Sequence, residues 1–175
     1  MKLFQIVISM SIGLAAGSIP IVAYNNGAGK KERVIEIMKK LMFIELLLGL
    51  ISSIILISGK DILIQIFGGN RESEYYRAFA EKAITYFLSL LILSTFNKGA
   101  TIFLQATGDA KSASVLSLIR EIVMGVGLPI ILSRFFGLEG LLWFMPIGDL
   151  ITAFFSVYYL RQTKRRICMK DIALI

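Results

Sequence analysis

The sequence predicts an all-α membrane protein with five transmembrane helices. Composition is the first sign: mean hydropathy is +0.75, with 56% hydrophobic and only 18% charged residues, where soluble domains carry roughly 25% charged. The second is the arrangement of the apolar residues in runs long enough to cross a bilayer, since a helix rises about 1.5 Å per residue and the hydrocarbon core is about 30 Å thick. Third, the charges gather at the ends of those runs, where they read as topology signals.

The runs place spans at about 3–26, 40–59, 83–107, 112–133 and 140–160. The first belongs to a charge-free stretch from Leu3 to Gly29 that ends in Lys30-Lys31-Glu32-Arg33. Gly13 and Gly17 share one face of it and are expected to let another helix approach closely, while Pro20 removes a backbone donor and tends to bend the helix. The second span opens beside Lys39-Lys40, with which Glu45 is expected to pair about one turn away. Residues 60–82 form the one sizeable connection: Gly68-Gly69-Asn70 breaks it, and the charges and tyrosines that follow suit either a helix at the membrane surface or a solvated loop.

Polar residues within the later spans are candidates for function, because ionisable groups at membrane depth are costly unless paired. In the third span Ser94, Asn97, Lys98, Thr101 and Gln105 line one stripe. That stripe serves interhelical hydrogen bonding or lines a substrate cavity. In the fourth, Arg120 and Glu121 point about 100° apart, so each needs its own partner or a watery surface. In the fifth, Asp149 follows Pro146, a possible ionisable site where the proline frees a carbonyl.

Several functions are excluded. A single cysteine, Cys168, and no histidine leave no internal disulfide and no zinc or histidine acid–base site. No nucleophilic triad or phosphate loop is present. Gly27-Ala28-Gly29-Lys30 lacks the first glycine of a phosphate cradle, and Lys31 stands where Ser or Thr is needed. The chain is therefore expected not to be an enzyme and to need no cofactor or metal. The net charge of +7 is not a nucleic-acid patch, as the charges flank apolar runs.

Eleven of the nineteen Lys and Arg residues fall on one side if the 27–40 turn, Lys111 and the segment after Leu160 share it. The positive-inside rule then puts the C-terminus in the cytoplasm, with 161–175 a basic cytoplasmic tail, and the N-terminus outside. Lys2 and Ala15-Ala16-Gly17 outline a signal peptide, but the run stays apolar beyond any cleavage site.

Three pieces carry a resemblance: Gly17-Ser-Ile-Pro20-Ile-Val-Ala-Tyr24-Asn25-Asn26-Gly27-Ala28-Gly29-Lys30; Phe103-Leu-Gln105-Ala-Thr-Gly108-Asp-Ala-Lys111; and Phe136-Gly137-Leu-Glu-Gly140 ahead of Pro146-x-x-Asp149. In order and spacing they resemble the multidrug and toxic compound extrusion (MATE) transporters, with Ser18 and Ile19 departing from the commoner Gly-Ala-Gln before the proline. The resemblance implies that Gly13, Gly17, Pro20, Tyr24, Asn25 and Gly27 form a helix-bend and packing motif. It also implies that residues 1–175 make most of a C-terminal lobe, helices 8 to 12 of 12, in the plasma membrane. The implied function is a secondary antiporter exporting organic, often cationic, compounds in exchange for H+ or Na+. Some members hold sodium with a carboxylate in the helix matching the third span; none stands between Ala83 and Gly108, so the coupling ion is unassigned. The expected partners are the bilayer, the missing N-terminal lobe and small organic substrates, with no nucleic acid, and the chain alone is expected not to transport. Two other readings are a fragment of a lipid-linked oligosaccharide flippase of the same superfamily, favoured by a cationic cavity, and a small non-transporting interaction subunit.

Overall fold

Apolar runs in lipid satisfy their backbone groups only by coiling, so helix is the default wherever such a run continues. A computed structural model describes residues 2–66 and 74–169, and among them every regular element is helical. In order these are α1 (Lys2–Gly27), α2 (Lys31–Ser58), α3 (Lys60–Ile66), α4 (Glu74–Ser89) and α5 (Leu91–Ala106), then α6 (Ala110–Gly137) and α7 (Gly140–Met169). Hydrogen bonding runs on from α6 into α7, but Gly137 at φ 61°, ψ −142° breaks the coil there. That left-handed φ is open to glycine without the Cβ penalty other residues meet.

Helices α1, α2, α6 and α7 are each long and apolar enough to span, and α4 with α5 gives a fifth span bent by 42°. The elements outrun the apolar runs. Helix α2 begins at Lys31 and not near residue 40, and α7 continues to Met169, so residues 161–169 are helix where a tail was expected. Lys, Arg and Glu are good helix formers, so the coil carries on into water after hydropathy has ended. Of the 60–82 connection, α3 and the start of α4 are helical; residues 67–73 and 170–175 lie outside the described residues. Helix α1 runs unbroken through Pro20.

Helix α5 is the centre of the bundle, packed on one side by α1 and α2 and on another by α7. Its Ala100, Phe103 and Leu104 are buried against Val22 of α1, Val34 of α2 and Leu160 of α7. Burying apolar side chains fully is worth about 1.5–3 kcal/mol each in water; between helices in lipid that drive is weak, and close packing and polar contacts take its place.

The close approach is built by Gly49 and Gly99. A Cβ at 49 would collide with Thr95 Oγ1 and the Ile92 backbone, and one at 99 would lie 2.7 Å from Glu45 Cγ. Among the described residues no helix packs on Gly13 or Gly17: both are exposed, and a Cβ at either meets nothing within 4 Å. The packed face of α1 is instead Ile8, Ser11, Ala15 and Val22, and the glycines lie on other sides of the helix.

The α4–α5 bend falls at Leu90, without proline or glycine. Ser53 of α2 donates its hydroxyl to the Leu88 carbonyl, giving a partner to an acceptor at the break. As a consequence of these contacts, Gly49→Ala should destabilise the folded chain by about 1–3 kcal/mol through overpacking. Gly13→Ala and Gly17→Ala should stay within about 0.5 kcal/mol. Unfolding midpoints of the three variants in one detergent check this.

Candidate functional site

Polar side chains on α5 alternate between two neighbours because the helix turns about 100° per residue. Ser94 and Asn97 face α7, and Thr95 faces α2. Ser94 donates its hydroxyl to Asp149 Oδ2, and Asn97 Nδ2 donates to the Asp149 carbonyl at 3.0 Å. Ser156 donates to Asn97 Oδ1 at 2.9 Å. All four side chains are buried.

Asp149 also has a cation. Arg120 of α6 reaches its Oδ1 through Nε at 3.3 Å and Nη2 at 3.1 Å. Arg120 Nη1 lies 3.3 Å from Glu121 Oε1, the oxygen that takes Lys98 Nζ at 2.7 Å. Lys98, Glu121, Arg120 and Asp149 thus form an alternating row of two cations and two carboxylates across three helices. Burial deepens from Glu121 to Asp149: the Glu121 side chain is 59% exposed and that of Asp149 7%. A cavity of about 180 Å³, lined by Phe4, Arg120, Glu121, Met124, Phe144 and Asp149 among others, opens beside the row.

The stripe read from sequence is divided. Ser94, Asn97 and Lys98 join this cluster, while Thr101 turns back to its own helix, donating to the Asn97 carbonyl at 2.9 Å. Gln105 is exposed. Arg120 and Glu121 find separate partners and also touch each other, as residues Ile119–Gly127 of α6 form a wider π-helical coil. Among the described residues no group of three or more His, Cys, Asp or Glu could hold a metal.

Glu45 is corrected outright. Lys40 pairs with Glu36 at 2.7 Å, and Lys39 and Lys40 lie more than 100° round α2 from Glu45. Glu45 points inward, fully buried, with its Oε2 hydrogen-bonded to Ser11 Oγ at 2.5 Å. Thr95 Oγ1 donates to the Glu45 carbonyl at 2.8 Å. The signal for this seam was a four-residue spacing on α2, Leu41, Glu45, Gly49 and Ser53, all buried.

The remaining motif residues lie toward the end of the bundle where α1 meets α2. Tyr24 is exposed, with Lys30 Nζ 5.8 Å from its ring centre. Asn25 is buried and donates to the Ile21 carbonyl at 2.8 Å. Asn26, which sequence reasoning did not single out, ties this turn to the next by donating to the Thr107 carbonyl at 3.0 Å. Gly27 lines a cavity of about 500 Å³ with Asn26, Asp109, Thr163 and Arg166. There Asp109 accepts from Thr163 at 2.9 Å and Arg166 at 3.1 Å, fastening the extended end of α7 to the α5–α6 turn. Burial pushes the Asp109 carboxyl up, but Thr163, Ser112 and Arg166 together hold it below the ordinary aspartate value of 3.8.

Two outcomes follow from these contacts. Because the Asp109 pKa is depressed on folding, the stability it adds is present at neutral pH and is lost as pH falls below 3.8 through the folded value. Amide exchange in residues 160–169 should rise over that acid range in the native chain and not in Asp109→Asn. In the row of charges, Arg120→Leu should cost about 3–5 kcal/mol, since it leaves Asp149 buried without its cation. Lys98→Met should cost under about 1 kcal/mol, as Glu121 is open to water. Thermal unfolding of the two variants separates them.

A sequence model of the MatE family matches residues 1–131. The chain is 24% identical over 164 residues to "Multidrug export protein MepA" of Staphylococcus haemolyticus (strain JCSC1435), covering 94% of this chain and 35% of that protein. A MepA from Staphylococcus saprophyticus is 26% identical over 154 residues, covering 86% and 33%. The fold is similar to an outward-facing MATE family multidrug resistance transporter, with TM-score 0.85 and 16% identity over 97% of this chain and 37% of that one. It is likewise similar to an inward-facing one, with TM-score 0.87, 17% identity, 97% and 39%. The chain thus spans about a third of the length of the relatives it matches. With three-quarters of its residues under the family model, it belongs to the MatE family of membrane transporters.

Proposed function

We propose that this chain supplies most of the C-terminal lobe of a secondary exporter of organic, often cationic, compounds, driven by inward H+ or Na+. Its work would be transport and not catalysis. Exchange of this kind needs two bundles rocking about a central site, so the second lobe of the transporter is the partner required, and these residues by themselves would move no drug. The positive-inside rule favours a cytoplasmic end for α7 and an outside start for α1 in the plasma membrane.

The observation that carries the reading is the charge-compensated row. A flippase for anionic lipid-linked sugars calls for a net cationic cavity, whereas both deep cations here, Lys98 and Arg120, are neutralised by Glu121 and Asp149. Glu121, the most exposed member of the row, offers a carboxylate for which an organic cation can compete with Lys98. Hydrogen bonds to charged groups are worth about 1.5–3 kcal/mol, and 1.4 kcal/mol is about tenfold in affinity. In a complete two-lobe protein carrying this sequence, Glu121→Gln should lower export of a cationic dye about tenfold relative to an uncharged one. Arg134→Gln should leave the ratio unchanged. Equal loss for both dyes in Glu121→Gln vesicles, at matched protein content, would refute substrate reading by this carboxylate.

A further inference from the structure

Glu45 has no part in the row of charges, yet it is fully buried among three helices. We propose that Glu45, with Ser11 and Thr95, forms a proton-binding site of this lobe. The case rests on hydrogen bookkeeping. Glu45 Oε2 and Ser11 Oγ are 2.5 Å apart, Ser11 Oγ lies 3.5 Å from the Thr95 carbonyl, and Glu45 Oε1 is buried with no partner. An ionised Glu45 takes the single Ser11 hydrogen and leaves the Thr95 carbonyl without it. A protonated Glu45 donates to Ser11, which passes its own hydrogen on to Thr95, so one added proton completes the relay of two bonds. The unpartnered Oε1 is then a neutral carbonyl oxygen, far less costly to bury than half of a carboxylate.

Among the described residues no fixed charge takes the proton's place. Helix α1 faces Glu45 with Ser11, and α5 faces it with Thr95 and Gly99, while the one cation of α5, Lys98, is held by Glu121. On α2 itself, Glu36 and Lys40 pair with each other. The charges of α3 and α4 that have described side chains, Lys60, Asp61, Glu81 and Lys82, come from the end of α2 beyond Ser53. On α7, Asp149 is paired with Arg120 and Arg166 with Asp109, and Arg161, Lys164 and Arg165 are exposed. Two oxygens 2.5 Å apart share a hydrogen.

The inference rests on the transport reading only for its use: it gives that exporter a proton-carrying group in this lobe, at a site distinct from Asp149. Infrared spectra of the chain in lipid bilayers at neutral pH test it. The native chain should show a protonated-carboxyl C=O band that shifts in D2O; Glu45→Gln should remove it and Asp149→Asn should keep it. Ser11→Ala, which needs no change at Glu45, should move the band to higher frequency by removing its acceptor. A native chain with no such band, or a band untouched by Glu45→Gln and Ser11→Ala, overturns the proposal, as does a band that sodium chloride abolishes. In the two-lobe protein, Glu45→Gln should cut pH-driven export at least tenfold. The spectra stand without any transport: a wild-type protein that exports nothing refutes the exporter reading and leaves the infrared result intact.

Discussion

Lipid offers no hydrogen bonds, so every polar group that α5 carries into the bundle has to be met by a neighbouring helix. That constraint fixes the architecture. Thr95 is met by the Glu45 carbonyl of α2 and Asn97 by Asp149 and Ser156 of α7, and in the α4 part of the same bent span the Leu88 carbonyl is met by Ser53 of α2. Each contact sets the height of one helix against α5. With Gly49 and Gly99 drawing α2 onto α5, sliding any of these helices by one turn would strand several polar groups at once. The register is therefore held more by specific polar contacts than by apolar burial, as expected where the surroundings are as apolar as the core.

Hydropathy made the helices legible, because span length and composition are set by the bilayer and leave a direct mark on the sequence. It could not show where a helix ends in water, hence the longer α2 and α7. Nor did it show the bend at Leu90, which has no proline or glycine and depends on Ser53, a residue far away in sequence. The site was half legible. Lys98, Asn97 and Ser94 share a face, and Asp149 was singled out, but pairing across helices is a matter of rotation about each axis. Glu45 shows how that misleads: nearness to Lys39-Lys40 in sequence suggested a pair, while its angular position turned it inward.

Contacts interlock α1, α2, α5 and α7, and a bundle holds together as one body when its internal polar groups are met by specific partners. The exposed apolar side chains of α6, such as Leu118, Ile122 and Ile130, make no comparable demand, and there the chain meets its surroundings with side chains that need no partner.

The π-helical stretch at Ile119–Gly127 answers a geometric problem posed by the row of charges. In an α-helix, adjacent Arg120 and Glu121 would diverge by about 100°, and only one could face the α5–α7 crevice. Bonding i to i+5 widens the coil, and such stretches are frequent at functional sites. With the coil widened, Arg120 reaches Asp149 while Glu121 reaches Lys98, and the two still touch. Gly125 and Gly127 fall in the same stretch, where glycine lowers the cost of departing from the regular coil by weakening the α-helical alternative. An irregular backbone is thus retained where it turns two opposite charges toward one cavity, and the regular helix resumes at Leu128 once they are placed.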